Sequence, residues 1–204
     1  EAAHSGKGQV VDAAMTDGSA ILMNAVFGIM NRGGWSHDRG TNLLDGGAHF
    51  YGTYATSDGK HVSIGSMEPQ FYALLMEKTG LISDPDFKAQ MDRSEWPQLR
   101  LKLAAVMVTK TRDEWDAIMY GTDICYAPVL NFEEAAANKH NRDRATFVEQ
   151  DGITQAAPAP RFSRTEPQLP PSAVAPGQQT DEILDSLGLS GDEIAALKGS
   201  GAIA

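Results

Sequence analysis

The sequence predicts a mixed α/β fold whose ordered centre is a compact α+β unit over about residues 50–125. Three observations carry that expectation. Two strand-like runs, Phe50 to Thr56 and Lys60 to Ser66, flank Ser57-Asp58-Gly59, a strong hairpin signal. Helix-start patterns follow, with apolar residues at helical spacing behind them. Glycine- and proline-rich stretches then flank this centre and read as connectors.

Taken in order, Val10 to Asp12 reads as a short strand. From Met15 the period changes: Ile21, Leu22, Ala25, Val26 and Ile29 predict a helix that stops near Asn31, before Gly33-Gly34. Met15, Met23 and Met30 add flexible thioethers, which suit either a core or an adaptable apolar surface. Residues 32–49 should be loop. After the hairpin, Glu68-Pro69 opens a helix to about Thr79; proline suits its first position. A helix from Ser94, taken as its cap, to Val108 is expected next. Another runs from the Thr111-Arg112-Asp113-Glu114 capping pattern to Tyr120. Trp96 and Trp115 should be core. A short helix starts at Asn131, and residues 144–149 suit a strand. Residues 156–179 are proline-dense and extended. Thr180 and Ser190 each head a final helix, the second with a Ser190–Glu193 capping box.

Composition narrows the function classes. At 204 residues, 42% apolar and 22% charged, the chain can bury a core of one domain or two small ones. No run of about 18 apolar residues exists to span a membrane. A net charge of −10 without a basic cluster argues against nucleic acid, and leaves no obvious group to hold phosphates. Cys125 is the single cysteine, which suits a reducing, cytoplasmic setting; its flanks suggest core packing. The start lacks both a methionine and a signal-peptide pattern, so the chain is expected to be a piece of a longer polypeptide.

Phosphate-loop, dinucleotide-binding, zinc-protease and serine-hydrolase patterns are absent. His4, His37, His49, His61 and His140 lack metal-ligand spacing, so no metal is expected. His61 should be exposed, and His49 adjoins Phe50-Tyr51, where it could face a pocket. The informative residue is Glu68. A carboxylate at a helix start is favoured by unpaired N–H groups and the dipole, and the local reading is a cap. Glu68, the Gly-rich loop and the aromatic Tyr51 and Tyr54 define by themselves a binding surface for an unspecified ligand.

Longer motifs say more. Gly6 to Met15, Arg39-Gly40-Thr41-Asn42-Leu43-Leu44-Asp45-Gly46-Gly47-Ala48, Phe50-Tyr51-Gly52-Thr53-Tyr54, Met67-Glu68-Pro69-Gln70-Phe71-Tyr72 and Ala159-Pro160-Arg161-Phe162-Ser163-Arg164-Thr165 occur in this order. Together they resemble the family III CoA-transferases, in their α-methylacyl-CoA racemase branch. The resemblance spans nearly the whole chain but only about the C-terminal half of a family member. It implies the family fold: a large Rossmann-like domain and a small α+β domain, with two chains interlocked as a homodimer. Residues 1–13 would then end a large-domain portion and 14–49 form a connector. Residues 50–125 would be the small domain, 126–158 the return connector, and 159–204 a segment packing on the large domain.

The resemblance also implies inversion at C2 of a 2-methyl-branched acyl-CoA thioester through an enolate. No cofactor is required, since CoA is part of the substrate, and neither nucleic acid nor membrane is a partner. In the family a histidine and an aspartate exchange the protons, and the glutamate matching Glu68 pairs with the histidine. Tyr51 would line the pocket, Leu43, Leu44, Asp45, Gly46 and Gly47 would border the substrate, and Met15 would suit the acyl tail. The histidine and aspartate are expected outside this chain, which alone should be inactive. A transferase moving CoA between carboxylic acids would use that aspartate as a nucleophile and would not need Glu68; the Met67-Glu68-Pro69 context favours the racemase. A non-catalytic dimerisation module is the third reading.

Overall fold

Three antiparallel strands in the order β1-β2-β3 organise the first of two units in the computed structural model, which describes residues 2–203. Strand β1 (Tyr51–Ala55) pairs with β2 (His61–Gly65) in the register Tyr51 opposite Gly65 and Ala55 opposite His61. The turn closes as the sequence predicts, with Thr56 N–H donating to the Lys60 carbonyl at 2.9 Å and Gly59 at φ 74°. Strand β3 (Tyr126–Val129) completes the sheet on β2, Ile64 opposite Tyr126. These residues were assigned from the sequence to the return connector.

Strand alternation sends Tyr54, Val62 and Ile64 to one face, where they are buried. Three helices contribute to the core there. They are α4 (Pro69–Thr79), with Tyr72, Leu75 and Met76; α5 (Trp96–Met107), with Trp96, Leu99, Leu103 and Met107; and α6 (Arg112–Met119), with Trp115 and Met119. Helix α5 lies against β1 and α6 against β3. The capping box at α6 forms as expected, Thr111 Oγ1 accepting from Glu114 N–H at 3.2 Å. Ser94 does not cap α5. Its hydroxyl donates to Asp92 Oδ1 at 2.7 Å, and Glu95 takes the cap position.

His49 is part of this core. Its imidazole is buried and edge-on to Phe50, Tyr72 and Phe87. Nε2 lies 2.8 Å from the Tyr72 hydroxyl, and that hydroxyl donates its single proton to the Phe87 carbonyl at 2.9 Å. Nε2 must therefore carry the hydrogen, and Nδ1, buried without a partner, is left as the bare nitrogen of a neutral ring. Burial, helped by the Arg100 charge, pushes its pKa down from 6.5 to about 4. The expectation that His49 could face a pocket is corrected: the ring is fully buried in the aromatic core.

Other expectations change. Val10–Asp12 forms no strand: Val10 and Val11 are exposed and have no strand beside them to supply a ladder. The first long helix is divided at Met23 into α2 (Met15–Leu22) and α3 (Asn24–Met30), with a short α1 (Ala2–Ser5) ahead of them. Neither α2 nor α3 buries a side chain, and Met15 is 88% exposed, so the methionine stripe is not core in this structure.

The second unit covers residues 130–203. It contains α7 (Phe132–Ala137), α8 (Lys139–Asp143), the hairpin β4 (Phe147–Gln150) to β5 (Ile153–Ala156), α9 (Thr180–Ser186) and α10 (Gly191–Gly199). The capping boxes at Asn131 and Ser190 form, whereas Thr180 is the first residue of its helix rather than the cap. Residues 157–179 contain neither helix nor strand, as their prolines predict. Among the described residues no helix is long and apolar enough to cross a membrane.

The depressed His49 pKa has a signed consequence. Above pH 6.5 both folded and unfolded imidazoles are neutral and the native fold keeps its full stability. As pH falls from 6.5 towards 4, only the unfolded state takes the proton, so stability is lost across that window, by at most about 3 kcal/mol. Urea unfolding at pH 7 and pH 4.5 should show this loss, and His49→Phe should remove most of the difference between the two pH values.

Candidate functional site

The exit from β2 is fixed on both sides, and Glu68 follows from it. Ser66 is buried; its N–H donates to the Phe50 carbonyl at 3.0 Å and its hydroxyl to the Ile124 carbonyl. Gln90 Nε2 donates to the Met67 carbonyl at 2.9 Å. Glu68 then takes the N-cap position of α4 in extended conformation, φ −72° and ψ 144°, ahead of Pro69. Its backbone caps, since Tyr72 N–H donates to the Glu68 carbonyl at 3.0 Å. Its side chain makes no cap hydrogen bond and is exposed. The local expectation of a capping carboxylate is thus corrected. The group stands at the positive end of a helix with its oxygens uncommitted to that helix.

Beside it lies a row across the outer face of the sheet. Tyr51 is opposite Gly65, and Gly65 N–H donates to the Cys125 carbonyl at 2.9 Å. Val62 and Ile64 face the core, so Ser63 and Gly65 face outward. Cys125 is exposed, not packed in the core as its flanks suggested. Ile124 takes the buried place, and Cys125 turns through φ 60° onto the outer face. Partial burial raises its thiol pKa, and the charges of Glu68 and Asp123 raise it further. Sequence reasoning missed Cys125 because a left-handed residue resets the strand alternation.

The glycine-rich loop is organised from within. Asp45 accepts from Asn42 N–H and Asn42 Nδ2, both at 2.7 Å, and from Gly40 N–H at 3.1 Å. Burial of Asp45 opposes ionisation, but the hydrogen bonds from Asn42, Gly40 and Gly47 outweigh it and hold the carboxyl below its usual range. Arg93 clamps the loop through the Gly34 and Thr41 carbonyls, each at 3.2 Å. Gly47 crosses this knot so closely that a Cβ would lie 2.4 Å from the Thr41 carbonyl carbon. Leu43 packs against the core, Leu44 is exposed, and Gly46 takes φ 96°. Of the residues singled out from the sequence, Tyr51 joins the row beside Glu68. Leu43 to Gly47 form a separate hydrogen-bonded loop, and Met15 stands on α2. Among the described residues no cluster of three or more His, Cys, Asp or Glu could hold a metal ion.

The chain itself belongs to a known class. The family model for CoA-transferase family III matches residues 1–180, and the chain is a member of that family. It is 44% identical over 200 residues to the mouse protein named alpha-methylacyl-CoA racemase, covering 97% of this chain and 52% of that one. The human protein of the same name is 43% identical over 195 residues, covering 93% and 50%. The crystal structure of a CaiB/BaiF family protein from Brucella suis superposes with a TM-score of 0.65 at 20% identity, over 91% of this chain and 50% of that one. That likeness supports the family III fold. The chain spans about half the length of the curated relatives it matches.

The loop geometry predicts a clear penalty. Gly47→Ala forces a methyl group into the backbone at Thr41 and Asn42, and should cost about 1–3 kcal/mol or more in urea unfolding. Unchanged stability would contradict the knot.

Proposed function

We propose that this chain is part of a racemase that inverts C2 of 2-methyl-branched acyl-CoA thioesters. The observation that carries the reading is the uncapped, exposed carboxylate of Glu68 in a chain 43–44% identical to two proteins named alpha-methylacyl-CoA racemase. A base removes the C2 proton, and the C–H electron pair moves into the thioester carbonyl as an enolate. An acid on the opposite face returns a proton to C2, and the enolate collapses back to the thioester. Glu68 is the positioning partner of a histidine supplied from polypeptide outside this chain. A carboxylate beside an imidazole fixes its tautomer and raises its basicity. Tyr51 contributes a wall beside it, Leu44 borders the substrate at the loop, and Met15 offers apolar surface to the acyl tail. The cations that hold the CoA phosphates also come from outside this chain, and the working protein is a homodimer.

The test uses a protein of the relatives' full length in heavy water. Deuterium should enter C2 of a 2-methylacyl-CoA with no acceptor acid present. Glu68→Gln should lower kcat by roughly 10- to 1000-fold. It should also move the acidic limb of the pH profile to lower pH, because the histidine loses the charge that raises its pKa. CoA passed to an added acceptor acid with no deuterium entering C2, together with an indifferent Glu68→Gln, would instead mean a CoA-transferase. The 204-residue chain by itself should exchange no label.

A further inference from the structure

Gly65 has no reason within its own chain to be glycine. It lies in regular strand, paired without a bulge to Tyr51, and its φ is not positive. A Cβ there would sit 3.6 Å from Tyr51 Cε2 and 3.8 Å from both the Cβ and the carbonyl oxygen of Cys125, which is ordinary contact. Gly47 and Gly52 differ. Cβ atoms there would meet backbone at 2.4 Å and the Arg100 guanidinium at 2.8 Å respectively. Glycine inside a strand weakens it, and where no bulge or bend requires it, something else approaches the backbone closely.

What approaches can be read from the surface around it. Tyr51 forms one wall and Cys125 the other, with bare backbone as the floor and Glu68 close enough to act on the Cys125 thiol. The floor offers no free polar group. Gly65 N–H is spent on the Cys125 carbonyl, and the Gly65 carbonyl accepts from Met67 N–H, both at 2.9 Å. Such a floor sorts ligands by shape and takes carbon rather than phosphate or amide.

We propose that Gly65 is a specificity-determining residue: its missing side chain makes room for the branched carbons next to the thioester, and so sets the largest group tolerated at C2. This rests on the racemase reading. Bulk added at Gly65 shrinks the slot without disturbing the fold, and penalises larger C2 substituents more than methyl.

The experiment takes Gly65→Ala and Gly65→Val in the full-length protein. It measures melting temperature, oligomeric state, and C2 deuterium exchange on 2-methyl- and 2-ethylacyl-CoA. Both variants should keep the wild-type oligomeric state and melt within a few degrees of it. Gly65→Val should lower kcat/KM for the 2-ethyl substrate at least tenfold more than for the 2-methyl one, with Gly65→Ala in between. An unchanged ratio in an active wild-type background would overturn the proposal and leave the racemase reading standing. A parallel loss on both substrates with a fallen melting point or altered oligomeric state would also overturn it, because the glycine would then serve packing. Absence of exchange in the wild type would remove the racemase reading, and this inference with it.

Discussion

Everything functional in this chain depends on how the polypeptide leaves β2. Ser66 is tied to two neighbouring segments at once, by its N–H to Phe50 and by its hydroxyl to Ile124. Gln90 holds the next carbonyl. Buried hydrogen bonds of this kind are modest in net stabilisation but costly to leave unmade, so the junction has little freedom. Because the junction is fixed, Pro69 starts α4 at one place. Glu68 takes the position ahead of that helix, and its carboxylate makes no hydrogen bond to it. The same bond to Ile124 buries that residue and forces Cys125 to the other face. The Glu68–Cys125–Gly65–Tyr51 surface and the core are two consequences of one constraint.

The core that supports that surface carries a short polar chain, though His49 Nδ1 and Arg100 Nη1 are buried without a hydrogen-bond partner. Tyr54 donates to the His49 carbonyl, while His49, Tyr72 and the Phe87 carbonyl form a chain of hydrogen bonds inside an aromatic cluster. Arg100 lies over the Tyr54 ring at 4.9 Å and fills the space above Gly52. The Asn42–Asp45 knot leads directly into Ala48, His49 and Phe50, so the loop is anchored to the same cluster.

Elements governed by local chemistry were legible in the sequence. The Asp58-Gly59 turn, the helix behind Pro69, and the capping boxes at Thr111, Asn131 and Ser190 all involve partners within a few residues. The Asp151-Gly152 hairpin carried the same signal, both residues taking positive φ, and only the β4 part of it was anticipated. The failures needed distant knowledge. Ser94 turns its hydroxyl back to Asp92 and leaves the cap position to Glu95. Val10 and Val11 had strand propensity but no ladder. Cys125 looked buried because its neighbours are apolar, and a single left-handed residue reversed its face. In the candidate site, Glu68 and Tyr51 were singled out from the sequence. Gly65 and Cys125 were not, because their meaning lies in what the other strands place beside them.

The proposed seat of the acyl group is this outer face. Cys125 reports on it directly, since it is exposed and flanks Gly65 within the field of Glu68. In the full-length protein, the rate at which a thiol reagent labels the Cys125 peptide can be followed by mass spectrometry with and without a saturating, non-reactive acyl-CoA analogue. The analogue should slow labelling of Cys125 severalfold or more. Equal rates, with analogue binding verified independently, would contradict that placement.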